Sequence, residues 1–166
     1  MRPLFATALF FALVLATGAC GTEIGDECQV SQDCSADGDR SCDVTSPGGY
    51  CTVVGCDYGT CPSEATCVRF FPGVSVNLPC DPETEGLSTQ DCTADEVCTL
   101  GGTCAPRNAE LRFCMRSCRD PSDCRDGYEC RDGELMARHG GEPVPPPGER
   151  LPADPQAFCA VAPEAD

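Results

Sequence analysis

CQVSQDCSADGDRSCDVTSPGGYC, residues 28–51, sets four cysteines in 24 residues, with Val30, Val44 and Tyr50 as the large apolar side chains among them. A segment so poor in oily residues cannot fold by burial, and cysteines this dense mark a disulfide scaffold in an oxidising compartment. The same composition continues outward. Beyond residue 19 the chain has 147 residues, of which 21 are Leu, Ile, Val or Phe, below the roughly 20% share expected of chains that fold on a core. Sixteen cysteines follow Cys20, so covalent crosslinks must supply the order that packing cannot, and reduction is expected to unfold the protein. The expected fold class is small and disulfide-rich, mostly coil with short β-hairpins, arranged as two tandem cysteine-rich modules with no large hydrophobic core.

The sixteen cysteines divide by spacing into four quartets: Cys28, Cys34, Cys42, Cys51; Cys56, Cys61, Cys67, Cys80; Cys92, Cys98, Cys104, Cys114; and Cys118, Cys124, Cys130, Cys159. The longest stretch between quartets is DPETEGLSTQD, residues 81–91. The domain reading is therefore a module over 28–80, a linker over 81–91, a second module over 92–159 and an acidic tail over 160–166. Duplication is suggested by GGYC ending at Cys51 against GGTC ending at Cys104, and by CPSEATC (61–67) against CRDGYEC (124–130). The tripeptide QDC ends on the second cysteine of one quartet (Cys34) and the first of another (Cys92), which leaves the register of the repeat open. Eight cysteines in one module allow 105 pairings, and spacing alone selects none.

The first 20 residues, MRPLFATALFFALVLATGAC, carry one positive residue, an apolar run over residues 4–16 and then small residues, the pattern of an export signal over 1–19. The run is too short to span a bilayer as a helix. An odd total of 17 cysteines implies that one has a fate other than pairing, and Cys20 stands apart from the quartets. LATGAC resembles the lipobox of bacterial lipoproteins, a likeness that implies a diacylglycerol thioether on Cys20. Cleavage after Ala19 by ordinary signal peptidase is the alternative. Residues 20–27 then read as a short tether of about 25 Å at full extension, and Gly21 after the lipidated cysteine suggests the outer membrane.

VRFFPGVSVNLPC, residues 68–80, has Pro72 and Gly73 at a turn with Val74, Val76 and Leu78 alternating beyond it, and reads as a β-hairpin. LRFCMRSC, residues 111–118, is a second strand candidate. The stretch between Cys130 and Cys159 is rich in Pro and Gly, with a Pro-rich loop over 140–155, and reads as a flexible insertion. The chain has no Lys and a formal net charge of −16, which argues against nucleic acid as a partner. Residues 107–131 nevertheless hold Arg107, Arg112, Arg116, Arg119, Arg125 and Arg131. Such residues either pair with local carboxylates or form a site for an anionic glycan or headgroup.

Catalytic chemistry is poorly supported. His139 is the single His, and a loop position is ill suited to hold a general base. No Cys pair has the two-residue spacing of zinc or thiol-redox motifs. DCSADGDRSCD, residues 33–43, lacks the ligand order of a calcium loop, leaving incidental calcium binding. No catalytic residue, cofactor or metal is expected, and the chain is read as a non-enzyme.

IGDECQVSQDC, PGGYC and CRDPSDCRDGYECRDG resemble the repeated units of bacterial cysteine-rich lipoproteins, whose domains are similar to small extracellular modules of the Dickkopf N-terminal, EB and EGF-like types. That likeness spans about residues 25–130 and implies surface display with protein or glycan binding. The expected function is a lipid-anchored cell-envelope protein acting as a binding, adhesion or structural surface module. Its partners would be the membrane, through Cys20, and an unidentified extracellular or periplasmic protein or glycan. A small disulfide-stapled protease inhibitor is the alternative.

Overall fold

The computed structural model describes residues 22–73, 78–87 and 90–163. The expected export signal, Cys20, Val74, Val76 and the last residues of the acidic tail lie outside that range. Regular elements are short. In chain order they are α1 (Ser31–Cys34), β1 (Ser41–Cys42), β2 (Cys51–Thr52), β3 (Ala65–Phe70), β4 (Glu96–Cys98), β5 (Cys104–Pro106), β6 (Leu111–Arg116), β7 (Tyr128–Arg131), α2 (Gly133–His139), β8 (Glu142–Pro143) and β9 (Phe158–Val161). The chain is a small, mostly strand and coil fold held by disulfides.

Sixteen cysteines form eight bridges: Cys28–Cys42, Cys34–Cys51, Cys56–Cys67, Cys61–Cys114, Cys80–Cys98, Cys92–Cys104, Cys118–Cys130 and Cys124–Cys159. They sort into four units, each joining its first cysteine to its third and its second to its fourth. Unit 1 is Cys28, Cys34, Cys42 and Cys51; unit 2 is Cys56, Cys61, Cys67 and Cys114; unit 3 is Cys80, Cys92, Cys98 and Cys104; unit 4 is Cys118, Cys124, Cys130 and Cys159. In every unit the third and fourth cysteines face each other across an antiparallel strand pair: Cys42 and Cys51 on β1 and β2, Cys67 and Cys114 on β3 and β6, Cys98 and Cys104 on β4 and β5, and Cys130 and Cys159 on β7 and β9. Side chains opposite one another on such strands share a face. The two bridges of a unit therefore leave the same side of its strand pair toward the two upstream cysteines.

Unit 3 is nested inside unit 2, between β3 and β6, and the division into modules 28–80 and 92–159 is not shown. Cys80–Cys98 spans the stretch expected to be a linker, and Cys61–Cys114 with the full register of β3 against β6 ties the two halves together. Of the hairpin expected over 68–80, residues 74–77, with Val74 and Val76 of its return arm, lie outside the described residues. Pro72 and Gly73 do turn the chain, but β3 lies in the middle of a three-stranded sheet ordered β6, β3, β8, with Val68 and Arg69 paired on both edges. The described residues that follow, Leu78 to Cys80, pair with unit 3. Pro79 bridges to Thr103, and the Cys104 amide donates to the Leu78 carbonyl at 2.9 Å.

The Pro-rich insertion in unit 4 is also more ordered than its composition suggests. It contains α2, capped by the Asp132 carboxylate on the Leu135 amide at 3.0 Å, and β8. Glu142 and Val144 are buried. Two small apolar clusters result. Ile24, Tyr50, Tyr128 and Val144 gather around Cys56, Cys67 and Cys114; Val68, Met136, Phe158 and Ala160 form the other, flanked by Phe70 and Leu100. Both draw on three units, so packing joins what the bridges hold locally.

Candidate functional site

Where units 1, 2 and 4 adjoin, two of the six Arg residues of the 107–131 stretch, Arg116 and Arg125, meet Tyr50 and Tyr128, which the sequence did not single out. Tyr50, just before β2, and Tyr128, opening β7, stack with ring centroids 5.5 Å apart. The Arg125 guanidinium lies 4.2 Å from the centroid of Tyr128 and 5.6 Å from that of Tyr50, a cation over aromatic faces. Arg125 Nη2 donates to the carbonyls of Pro47, at 3.0 Å, and Gly49, and to the Tyr128 hydroxyl; its Nη1 is buried with no hydrogen-bond partner among the described residues. The Tyr50 hydroxyl accepts from the Arg116 amide at 2.9 Å and donates to the Cys159 carbonyl at 3.3 Å. Burial pushes Tyr50 up to about 12. Asp26, Glu27, Asp123 and Arg116 complete a cleft of about 350 Å³.

The Arg-rich stretch is explained mostly by internal contacts. Arg112 pairs with Glu110 and, at 2.8 Å, with Asp57; Arg116 reaches Glu23 at 2.8 Å; Arg119 lies 4.0 Å from Asp123. Arg131 is buried, donating to Glu129 at 2.8 Å, to the carbonyls of His139 and Gly140 at the end of α2, and to Val161. Arg107 makes a long 3.4 Å contact to the Ala94 carbonyl. Arg112, Arg116 and Arg125 thus clamp the later half of the chain onto the earlier half. His139 is not in a loose loop: it closes α2, with Nδ1 2.7 Å from Glu129.

Glu142, which sequence reading passed over, is the buried polar hub of the other face. It takes Arg69 Nε at 2.8 Å and the Leu100 amide at 2.8 Å, binding the insertion of unit 4 to units 2 and 3. A glutamate amid Pro and Gly gives no such signal, because its partner lies 73 residues away.

The groups of three metal-ligand-type side chains among the described residues are Cys28, Cys34 and Cys51; Cys56, Cys61 and Cys114; Cys80, Cys92 and Cys104; and Cys118, Cys124 and Cys159. All are bridge sulfurs, and a metal binds the thiolate that pairing removes. The tether expected over 20–27 is shorter than its residue count. Ile24 is fully buried, the Gly25 amide donates to the Cys51 carbonyl at 2.9 Å, and Thr22 Oγ1 donates to the Asp33 carbonyl at 2.8 Å. Residues 22–27 belong to the folded body. No helix among the described residues is long and apolar enough to cross a membrane.

The resemblance to Dickkopf N-terminal, EB and EGF-like modules stays at the level of its motifs. No family model matches this chain, and no curated protein or solved structure matches it either.

Proposed function

We propose that the chain is an exported protein anchored in the bacterial cell envelope by lipid on Cys20, acting as a disulfide-stapled binding, adhesion or structural surface module. One observation carries this reading. All sixteen cysteines from Cys28 onward find partners among themselves, so of the 17 in the sequence only Cys20 stands outside the bridges, directly after a signal-like stretch. Two or three acyl chains on one residue exceed the single chain that gives marginal membrane binding, and the anchor is stable.

A binding role belongs at the cleft between units 1, 2 and 4, where aromatic faces, a guanidinium and carboxylates are held on a crosslinked frame that loses little freedom on binding. The test is Cys20→Ser followed by cell fractionation. Release of the variant from the membrane fraction supports the anchor, and retention overturns it. Nanomolar inhibition of a common protease by the purified mature protein would replace the surface-module reading with the inhibitor one.

A further inference from the structure

We infer that the face of unit 1 around Thr22 lies directly against the lipid headgroups, so that the protein is docked on the bilayer rather than suspended from it. This inference rests on the lipid anchor proposed for Cys20. Its own support is where the folded body starts. Thr22 is held at both its groups: its hydroxyl donates to the Asp33 carbonyl at 2.8 Å and its carbonyl accepts from Arg40 Nη1. The Glu23 amide donates to Asp26 Oδ2 at 2.8 Å, and Ile24 is sealed in the apolar cluster with Tyr50. One residue, Gly21, therefore separates the anchor from a fixed point, and the Cα of Cys20 lies within about 7 Å of the Cα of Thr22 even at full extension.

The surface beside that point is a shallow hollow bordered by Thr22, Gln32, Ser35, Ala36, Asp39 and Arg40. It is polar, as a headgroup-facing surface must be. Asp33 and Asp39 outweigh Arg40 there, with Asp37 two residues from Asp39 in the chain, but repulsion from anionic lipid cannot lift the body clear. The tether is about as long as the roughly 8 Å over which charge is screened at physiological salt. A free tether over 20–27 would have allowed the body to swing; one residue holds unit 1 to the surface.

The experiment compares the lipidated protein on phosphatidylcholine vesicles with the soluble Cys20→Ser form, using carbodiimide and glycine ethyl ester to label exposed carboxylates. Asp37 and Asp39 are exposed in the folded protein, as is Glu134 on α2. Labelling of Asp37 and Asp39 is expected to be several-fold slower on vesicles, with Glu134 unchanged. A long Gly-Ser spacer inserted between Gly21 and Thr22 restores the soluble rates. Equal labelling of Asp37 and Asp39 in protein that floats with the vesicles overturns the docked face and leaves the anchor standing. Failure of the native protein to float overturns the anchor itself, so the two failures are distinct.

Discussion

Raising the pH should loosen the junction through Tyr50. Its phenol is 2% exposed and burial raises it to about 12 from the usual 10. The folded state therefore holds the proton more tightly than the unfolded state. The resulting stability is fully present below pH 10, where the unfolded chain's phenol is also protonated, and is lost as pH rises through 12. Each pKa unit corresponds to about 1.4 kcal/mol, so the loss is about 1.4 kcal/mol by pH 11 and approaches about 3 kcal/mol at higher pH. Urea denaturation with the bridges intact, run at pH 9, 10 and 11 over short exposures, measures it, and Tyr50→Phe should remove that part of the pH dependence. Because the variant also strips the Arg116 amide and Cys159 carbonyl of their partner, it should cost about 1–3 kcal/mol at neutral pH. If absorbance titration of the native protein shows Tyr50 ionising near pH 10, the reasoning about its burial is refuted.

Removing Cys61–Cys114 by paired Ser substitution opens a 53-residue separation and should cost about 4 kcal/mol on the chain-entropy account, against about 3 kcal/mol for Cys92–Cys104; denaturant midpoints of the two variants give the order. Glu142→Ala removes the buried carboxylate that the half-buried Arg69 guanidinium and the Leu100 amide share and should destabilise by about 3 kcal/mol, with amide exchange rising first in β8 and α2. Gly49→Ala should prevent correct oxidation, since an added Cβ would sit 2.0 Å from the Cys28 carbonyl oxygen; non-reducing chromatography of the refolded variant reads the outcome. Backbone amides of Gln29 and Val30 hold Asp33 below the ordinary carboxylate range, as the Ser122 hydroxyl and amide do for Asp120. Both contributions are present above the unfolded value and fade as pH falls through the folded one, which carboxyl chemical shifts in an acid titration should follow.

The repeat was written in the sequence more faithfully than the quartets. GGYC and GGTC both end on the fourth cysteine of a unit, and in each the second glycine has positive φ, where an added Cβ would approach the carbonyl oxygen of the unit's first cysteine, Cys28 or Cys80. CPSEATC and CRDGYEC both run from second to third cysteine and open with the same turn, the Ala65 amide on the Pro62 carbonyl at 2.9 Å and the Tyr128 amide on the Arg125 carbonyl at 3.1 Å. QDC precedes the second cysteine in units 1 and 3 alike, which resolves the register. Counting cysteines in order failed because Cys80 opens a new unit before Cys114 has closed the old one, and spacing carries no sign of nesting. Asp33 and Asp123, each one residue before a second cysteine, also play one role: Asp33 takes the Gln29 amide and Asp123 the Arg119 amide, both at 2.8 Å. The strand at Leu111–Arg116 was legible from its own residues. Its pairing with β3 was not, because that choice depends on Cys61–Cys114 and on β8 filling the far edge. The Tyr50, Tyr128 and Arg125 cleft was equally hidden, since stacking between residues 78 positions apart leaves no local pattern.

The arrangement of four interlaced units, one nested within another, is tested most directly by mapping the disulfides of the unreduced mature protein. Digestion between cysteines, followed by mass spectrometry, should find Cys61 joined to Cys114 and Cys80 joined to Cys98. Peptides joining Cys61 to Cys80 and Cys98 to Cys114 would contradict the nested fold and restore two tandem modules.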